Sequence, residues 1–259
     1  MIGPGKQLLS MTSLRIRLSG HRQLLRLVYK KPLDLGGLGP VVSFAFDDFP
    51  RSAYTEGGNI LRTYDGRGTY YAAAGLANQV TAFGENFRLE DLYSLTAEGH
   101  ELATHTNHHV SAHELGTEEY VREVLEGVSA LQRNPGLKVS GNFAYPFGRA
   151  TAASKREVGK EMRSCRGTLP GINGAITDLN FLSANALYGD ESSLGSATGM
   201  VDAAEQGRHW LIFYTHDVQP SPSPYGCTPG LLEAAVKMVS KRGIKICTVD
   251  EVLSTAQQS

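Results

Sequence analysis

Two neighbouring carboxylates, Asp47 and Asp48, end the run Val41-Val-Ser-Phe-Ala-Phe46. A stretch this apolar belongs in a sheet interior, where an unpartnered charge is expensive, so paired aspartates at its end point to chemistry. Neighbours on a strand face opposite ways, and the two carboxylates therefore take different tasks: one can hold a metal while the other handles a proton. Five of the eight histidines (His100, His105, His108, His109 and His113) fall within residues 100–113. A lone histidine reads as a core or surface residue. Five together read as a metal-binding group, because two or three imidazoles with a carboxylate make an open catalytic site. Pairs four apart share one face of a helical turn, which both His105/His109 and His109/His113 satisfy, and spacing alone leaves the choice open.

The elements that must position these groups alternate along the chain. Apolar runs predict strands at Val41–Asp47, Thr69–Ala73, Glu101–Thr104, Asn142–Tyr145, Cys165–Thr168, Asn185–Tyr188, Leu211–Thr215 and Lys245–Thr248. Helices are clearest at Thr117–Arg133 and Pro229–Arg242, the second opened by Thr228 as N-cap with Pro229 behind it and stopped by Gly243. Such alternation predicts parallel strands with helical crossovers, a barrel or a doubly wound sheet. Asp47/Asp48, the His105 group, Tyr145-Pro146 and His216-Asp217 all fall at C-terminal strand ends, the rim where barrel active sites assemble.

Composition sets the outer bounds. The chain has 259 residues, 41% of them hydrophobic and 20% charged, which suits one large α/β domain or two small ones. A net charge of −1 gives no electrostatic ground for nucleic-acid binding. The charge is uneven, however: residues 1–39 carry seven Lys/Arg against Asp34 alone, a local +6. This basic extension reads as ending at the Gly36–Pro40 stretch, with the catalytic domain at 40–259, and its partner is expected to be the acidic body of the same chain. A short strand at Leu14–Leu18 and a helix at His21–Lys30 are expected within it. Cys165, Cys227 and Cys247 form no paired spacing and read as reduced thiols. No 18-residue apolar span is present, and Arg15, Arg17 and Arg22 interrupt any leader-like run, so a soluble, cytoplasmic setting is the expectation. Neither a Gly-x-Ser-x-Gly elbow nor a phosphate loop occurs.

From about Val41 to Leu253 the chain resembles the polysaccharide deacetylases of the NodB-homology type, carbohydrate esterase family 4. The family's Thr-Phe-Asp-Asp-Gly motif matches Ala45-Phe46-Asp47-Asp48-Phe49, with Phe49 in place of glycine. His-Ser/Thr-x-x-His matches His105-Thr106-Asn107-His108-His109, and Arg-x-Pro-Tyr/Phe-Gly matches Ala144-Tyr145-Pro146-Phe147-Gly148, where Ala144 replaces the arginine. Leu-x-Leu/Phe-x-x-His matches Leu211-Ile-Phe213-Tyr-Thr-His216. The family's fourth motif, with its Asp and Trp, is not found; Trp210 lies on another segment.

The resemblance implies a distorted TIM-like (β/α)7 barrel, with Asp47 as catalytic base and His216 as general acid. It implies one divalent ion, Zn²⁺ first and Co²⁺, Ni²⁺ or Fe²⁺ next, held by Asp48, His105 and His109. The backbone at Phe147 is implied as oxyanion donor, with Tyr145 and Phe147 as substrate wall. Arg166, near the end of the next strand, is a substitute for the missing arginine, and Asp217 a substitute for whatever orients His216. The implied activity is removal of N-acetyl groups from a GlcNAc-containing glycan. The same site acting on O-acetyl xylan or a small amide, and an impaired glycan-binding module, are the alternatives. Phe49, Tyr54, Tyr70, Tyr145, Phe147 and Tyr225 are the aromatic side chains available as sugar platforms.

Overall fold

The computed structural model describes residues 24–258. Its main sheet contains β1 (Val41–Asp47), β2 (Thr69–Ala72), β3 (Glu101–Thr104), β4 (Asn142–Ala144), β5 (Ser164–Arg166), β6 (Asn185–Ala186), β7 (Trp210–Thr215) and β8 (Lys245–Ile246). The order is β6-β7-β1-β2-β3-β4-β5, every pair parallel, and β8 lies against the start of β1 at Val41 and Val42. The sheet curls until β5 meets the residues leading into β6: Cys165 N–H donates to Leu179 and accepts from Leu182 through its own carbonyl. The result is the distorted (β/α)7 barrel, seamed by irregular backbone between β5 and β6. Helices α1 (Asn59–Thr63), α2 (Leu89–Ala97), α3 (Thr117–Gln132), α4 (Ala152–Glu161), α5 (Leu194–Gly207), α6 (Pro229–Lys241) and α7 (Val249–Ala256) accompany the strands.

The two faces of β1 explain why this run is apolar throughout. Val42, Phe44 and Phe46 pack outward with Leu61, Leu231 and Val236 of the helix layer. Val41 and Ala45 turn inward, to a barrel interior shared with Tyr71, Ala103, Ala144, Trp210 and Ile212. A strand covered on both faces loses the polar alternation of a half-exposed one. The Trp210 indole donates to Ser43 Oγ at 2.9 Å inside the barrel, which makes it a packing residue. Helix α6 opens as its sequence predicts, with Thr228 Oγ1 accepting from Leu231 N–H at 3.1 Å and Pro229 behind the cap.

The expected strand at Leu14–Leu18 and the first part of His21–Lys30 lie outside the described residues. Residues 26–29 form turns and bends in place of a continued helix. Pro32–Asp34 pairs antiparallel with Ile176–Asp178, and Leu35 is buried with Val41 and Trp210. The basic groups here end on backbone carbonyls of the body: Lys31 Nζ on Met162 O at 2.9 Å and Arg26 Nη2 on Pro170 O at 2.6 Å. Lys155 reaches back from α4, its buried ammonium donating to Leu25 O, Val28 O and Asp178.

At the N-terminal mouth of the barrel, Glu101 is a buried carboxylate with four donors. They are Thr69 Oγ1 (2.8 Å), Ser140 Oγ (2.6 Å), Asn142 Nδ2 (2.7 Å) and the Asp250 N–H at the start of α7 (2.9 Å). Removing it strands all four donors, so Glu101→Ala is expected to cost about 3–5 kcal/mol. That corresponds to a fall in Tm of roughly 10 °C. Because this mouth is opposite the candidate site, turnover well below the melting temperature is expected to stay within about twofold of wild type, and a larger loss would contradict the assignment.

Next to it, His100 has a structural role. Its Nδ1 accepts from Gly68 N–H at 2.9 Å, and its ring stands edge-on to Tyr70 at 5.5 Å. Burial, with help from Arg67 and Arg62, lowers its pKa to about 4. The unfolded chain takes up this proton near pH 6.5, so the stabilisation from His100 is complete above that value and declines as pH falls toward 4. The loss from this one group is at most about 3 kcal/mol. Urea unfolding between pH 7 and 4.5 is expected to show a shallower decline for His100→Asn than for wild type.

Candidate active site

The strand β1 ends because Asp48 and Phe49 adopt left-handed φ values of 60° and 57°. This turn brings both carboxylates to the barrel mouth. Asp47 keeps the inward direction of its strand, and Asp48 is carried over toward the histidines. Such φ values cost a non-glycine residue about 1–2 kcal/mol each. At Phe49 the cost is offset by a fully buried ring that stacks on Phe87 at 5.1 Å and lies tilted against Tyr70 at 4.9 Å.

His105 and His109 converge, but not from a helix. They lie on the irregular segment after β3, where Thr106 and His109 are both left-handed (φ 67° and 55°). The segment presses onto α3 at Gly127, where an added Cβ would stand 2.6 Å from the Thr106 carbonyl. His105 Nε2 is 3.4 Å and His109 Nε2 3.0 Å from Asp48 Oδ1, an oxygen that is buried without a hydrogen bond. The His105 Nδ1 lies 2.7 Å from Ala144 O; the carbonyl only accepts, so Nδ1 carries the proton and Nε2 presents a lone pair. His108 turns away to Glu123, and His113 lines the cleft outside this trio.

Asp48, His105 and His109 each offer one ligand atom, all within 4.8 Å of one another. Two ligands on a tetrahedral ion at roughly 2.0–2.1 Å stand about 3.3 Å apart, so the spacing fits a divalent cation. The electrostatics fit as well. Burial lowers the His105 pKa to about 4, leaving a neutral imidazole at pH 7. Burial pushes Asp48 up, but the His109 contact and the neighbouring imidazoles outweigh it and hold the carboxyl at about 2.

Asp47 is joined to Arg166, whose Nη2 donates to Asp47 Oδ1. The guanidinium is fully buried, lies over the rings of Tyr71 (4.9 Å) and Tyr214 (5.1 Å), and donates through Nη1 to Gly167 O. Ala144 and Arg166 are direct partners in the β4–β5 pairing. The cation therefore sits one strand over from the motif position at the same level of the barrel, and the small Ala144 side chain leaves it room. His216 stands opposite, with Nε2 3.9 Å from Asp48 Oδ2.

Two sequence expectations are corrected by these contacts. Asp217 does not reach the His216 ring; its buried carboxylate accepts from Ser223 N–H (2.8 Å), Ser223 Oγ (2.5 Å) and Gln219 Nε2 (2.8 Å). The ring is instead oriented by its Nδ1–H, donated to the Tyr225 carbonyl at 3.1 Å. Asp217 thus shapes the loop that carries this acceptor. Tyr145 is not a wall of the site: its ring packs in the core with Phe143 and Phe181, and its N–H is committed to Arg166 O. Phe147 is the exposed member of that motif, at 53% exposure with its ring 4.6 Å from His109. Its backbone is left-handed (φ 58°), and among the described residues nothing accepts from its N–H.

The cleft above these groups has a volume of about 620 Å³, in the range of small-ligand sites. Of the six aromatics offered by the sequence as platforms, Phe147 and Tyr225 line it, while Phe49, Tyr70 and Tyr145 are core residues and Tyr54 packs against that core. Phe83, Tyr188 and Tyr214 complete the aromatic wall and were not legible as such. Tyr188 and Tyr214 follow β6 and sit in β7, two strands whose neighbours only the sheet order reveals.

The polysaccharide deacetylase family model matches residues 37–163, which include both aspartates, the histidine pair and the Tyr145–Gly148 segment but stop short of His216. No curated protein matches by sequence. Among solved structures, the fold is similar to a family 4 acetyl xylan esterase from Clostridium thermocellum bound to a cobalt ion (16% identity, 83% of this chain and 91% of that one, TM-score 0.57). It is similar too to the peptidoglycan deacetylase PdaC from Bacillus subtilis (13% identity, 85% and 93%, TM-score 0.51). A family 4 carbohydrate esterase from Streptomyces lividans, in complex with acetate, is a third (17% identity, 80% and 91%, TM-score 0.53). With the motif residues gathered at one mouth of this barrel, residues 37–163 carry the match to the polysaccharide deacetylase family.

Proposed function

We propose that the protein is a metal-dependent amide hydrolase that removes N-acetyl groups from a GlcNAc-containing oligo- or polysaccharide. The observation that carries this reading is the convergence of His105 Nε2, His109 Nε2 and Asp48 Oδ1 beneath a cleft flanked by Asp47 and His216. Asp48, His105 and His109 would hold one divalent ion, Zn²⁺ first, which when bound acidifies water and polarises the acetyl carbonyl. Asp47, held in place by Arg166, takes the proton of the attacking water. Phe147 lines the cleft wall, and its N–H donates to the oxygen that becomes anionic. His216, its ring fixed by the Tyr225 carbonyl, gives a proton to the departing amine, which leaves as an amino sugar alongside acetate.

The deciding experiment measures acetate release from chitooligosaccharides and acetylated xylan by protein as purified, after chelation, and after return of zinc or cobalt. Loss on chelation and recovery with metal is expected, with the oligosaccharides preferred. Acetate from xylan alone would move the substrate to esters. Glycan binding without acetate under any metal would make the chain a binding module and end the proposal. Among the described residues no helix is long and apolar enough to cross a membrane.

A further inference from the structure

We infer that the arm at residues 78–87 closes the His216 end of the cleft, so that the enzyme favours short oligosaccharides and chain ends over the interior of a long polymer. This rests on the deacetylase reading above. The arm is a hairpin in which Val80–Thr81 pairs antiparallel with Gly84–Glu85, extended by the bonds Asn78 N–H to Phe87 O and Asn86 N–H to Gln79 O. A hairpin this short has little stability of its own, and Val80, 77% exposed, shows that its shaft lacks a packed face. Its position is set at the two ends.

At the base, Phe87 N–H donates to Phe49 O at 3.1 Å, and the two rings stack. Phe49 stands where the resembling motif has glycine; a glycine there could supply the carbonyl but no ring. The arm is thus keyed to the residue directly after Asp48. At the tip, the Phe83 ring lies 5.0 Å from the His216 ring and edge-on to Tyr225 at 6.1 Å. Tyr225 belongs to the loop shaped by Asp217, so the arm after β2 and the loop after β7, from the two strands that flank β1, meet over His216.

Phe83 is only partly buried, and Tyr225 is 52% exposed, so this pair is held at the cleft mouth and not in the core. Partly exposed rings present apolar faces suited to a sugar ring that ends against them. Across the cleft, Phe147 is 53% exposed and Arg149 lies beside it, its guanidinium 5.9 Å from the Phe147 ring. A glycan can extend past Phe147 but is stopped at Phe83–Tyr225.

The test compares kcat/KM for acetate release from the N-acetylglucosamine dimer, the pentamer and a soluble long chitin, using zinc-supplied wild type, Phe83→Ala and Tyr225→Ala. The second variant keeps the carbonyl that orients His216 while removing the other half of the bridge. Wild type is expected to favour the short substrates. Each variant is expected to raise the polymer-to-dimer ratio about tenfold or more, the scale of a removed steric contact. An unchanged ratio in both variants, with thermal melts showing both folded, would overturn the inference while leaving the deacetylase reading intact, as would a wild type indifferent to length. Acetate from none of the substrates would overturn both.

Discussion

Arg166→Leu is expected to destabilise the protein by about 3–5 kcal/mol and to lower turnover by at least about a hundredfold. Asp47 and Arg166 are almost wholly buried, at 4% and 0% exposure, and each is the other's charged partner. Breaking such a pair leaves a buried carboxylate without the guanidinium that holds it in place toward the cleft. The loss of turnover is expected to persist well below the melting temperature, where destabilisation alone would leave the protein folded and active. Arg166→Lys is expected to recover part of the stability, because one point charge replaces a planar fork that also lies over Tyr71 and Tyr214. Moving the cation back one strand, with Ala144→Arg combined with Arg166→Ala, is expected to outperform Arg166→Ala alone, since the two positions are register partners. Equal activity of the two would show that Asp47 does not depend on a guanidinium at this level of the barrel.

The adjacent carboxylates Asp47 and Asp48 are expected to fail in different ways. Asp48→Ala removes the oxygen shared by His105 and His109, so metal retained after dialysis should fall by more than the roughly 10–100-fold that follows loss of an outer hydrogen-bond partner of a ligand. Turnover should fall with it. Asp47→Asn, in contrast, should retain metal at the wild-type stoichiometry while turnover drops about 10²–10⁴-fold. Metal analysis beside acetate release separates the two roles. If both variants kept metal, the trio would not be a metal site. If Asp47→Asn kept near wild-type turnover, Asp47 would not be the base.

How much of this was legible in the chain follows from what local sequence encodes. β1 and β3 have the bounds their apolar runs predict, and α3 and α6 end within a residue of expectation. Hydrophobic runs, caps and breakers act over a few residues, and these elements are ruled by them. The order Asp47-Asp48, His105…His109 and His216 marked the strand ends because an ionisable group after an apolar run has few structural uses.

What the tertiary structure alone decided lies between segments far apart. The resemblance offered Arg166 as a substitute for the missing arginine, but its contact with Asp47, 119 residues away, is made only in the fold. Their meeting depends on β4 and β5 being register partners and on Ala144 being small. Asp217 and Tyr145 show the converse. The first neighbours His216 in sequence but turns to Ser223; the second sits in a site motif but points into the core. The arm with Phe83 carries too little periodicity to announce itself, because its strands are two residues long and its place is fixed by contacts at its ends. Sequence pattern reports which faces are buried; what covers them is set by strand order and loop packing, and those are properties of the whole barrel.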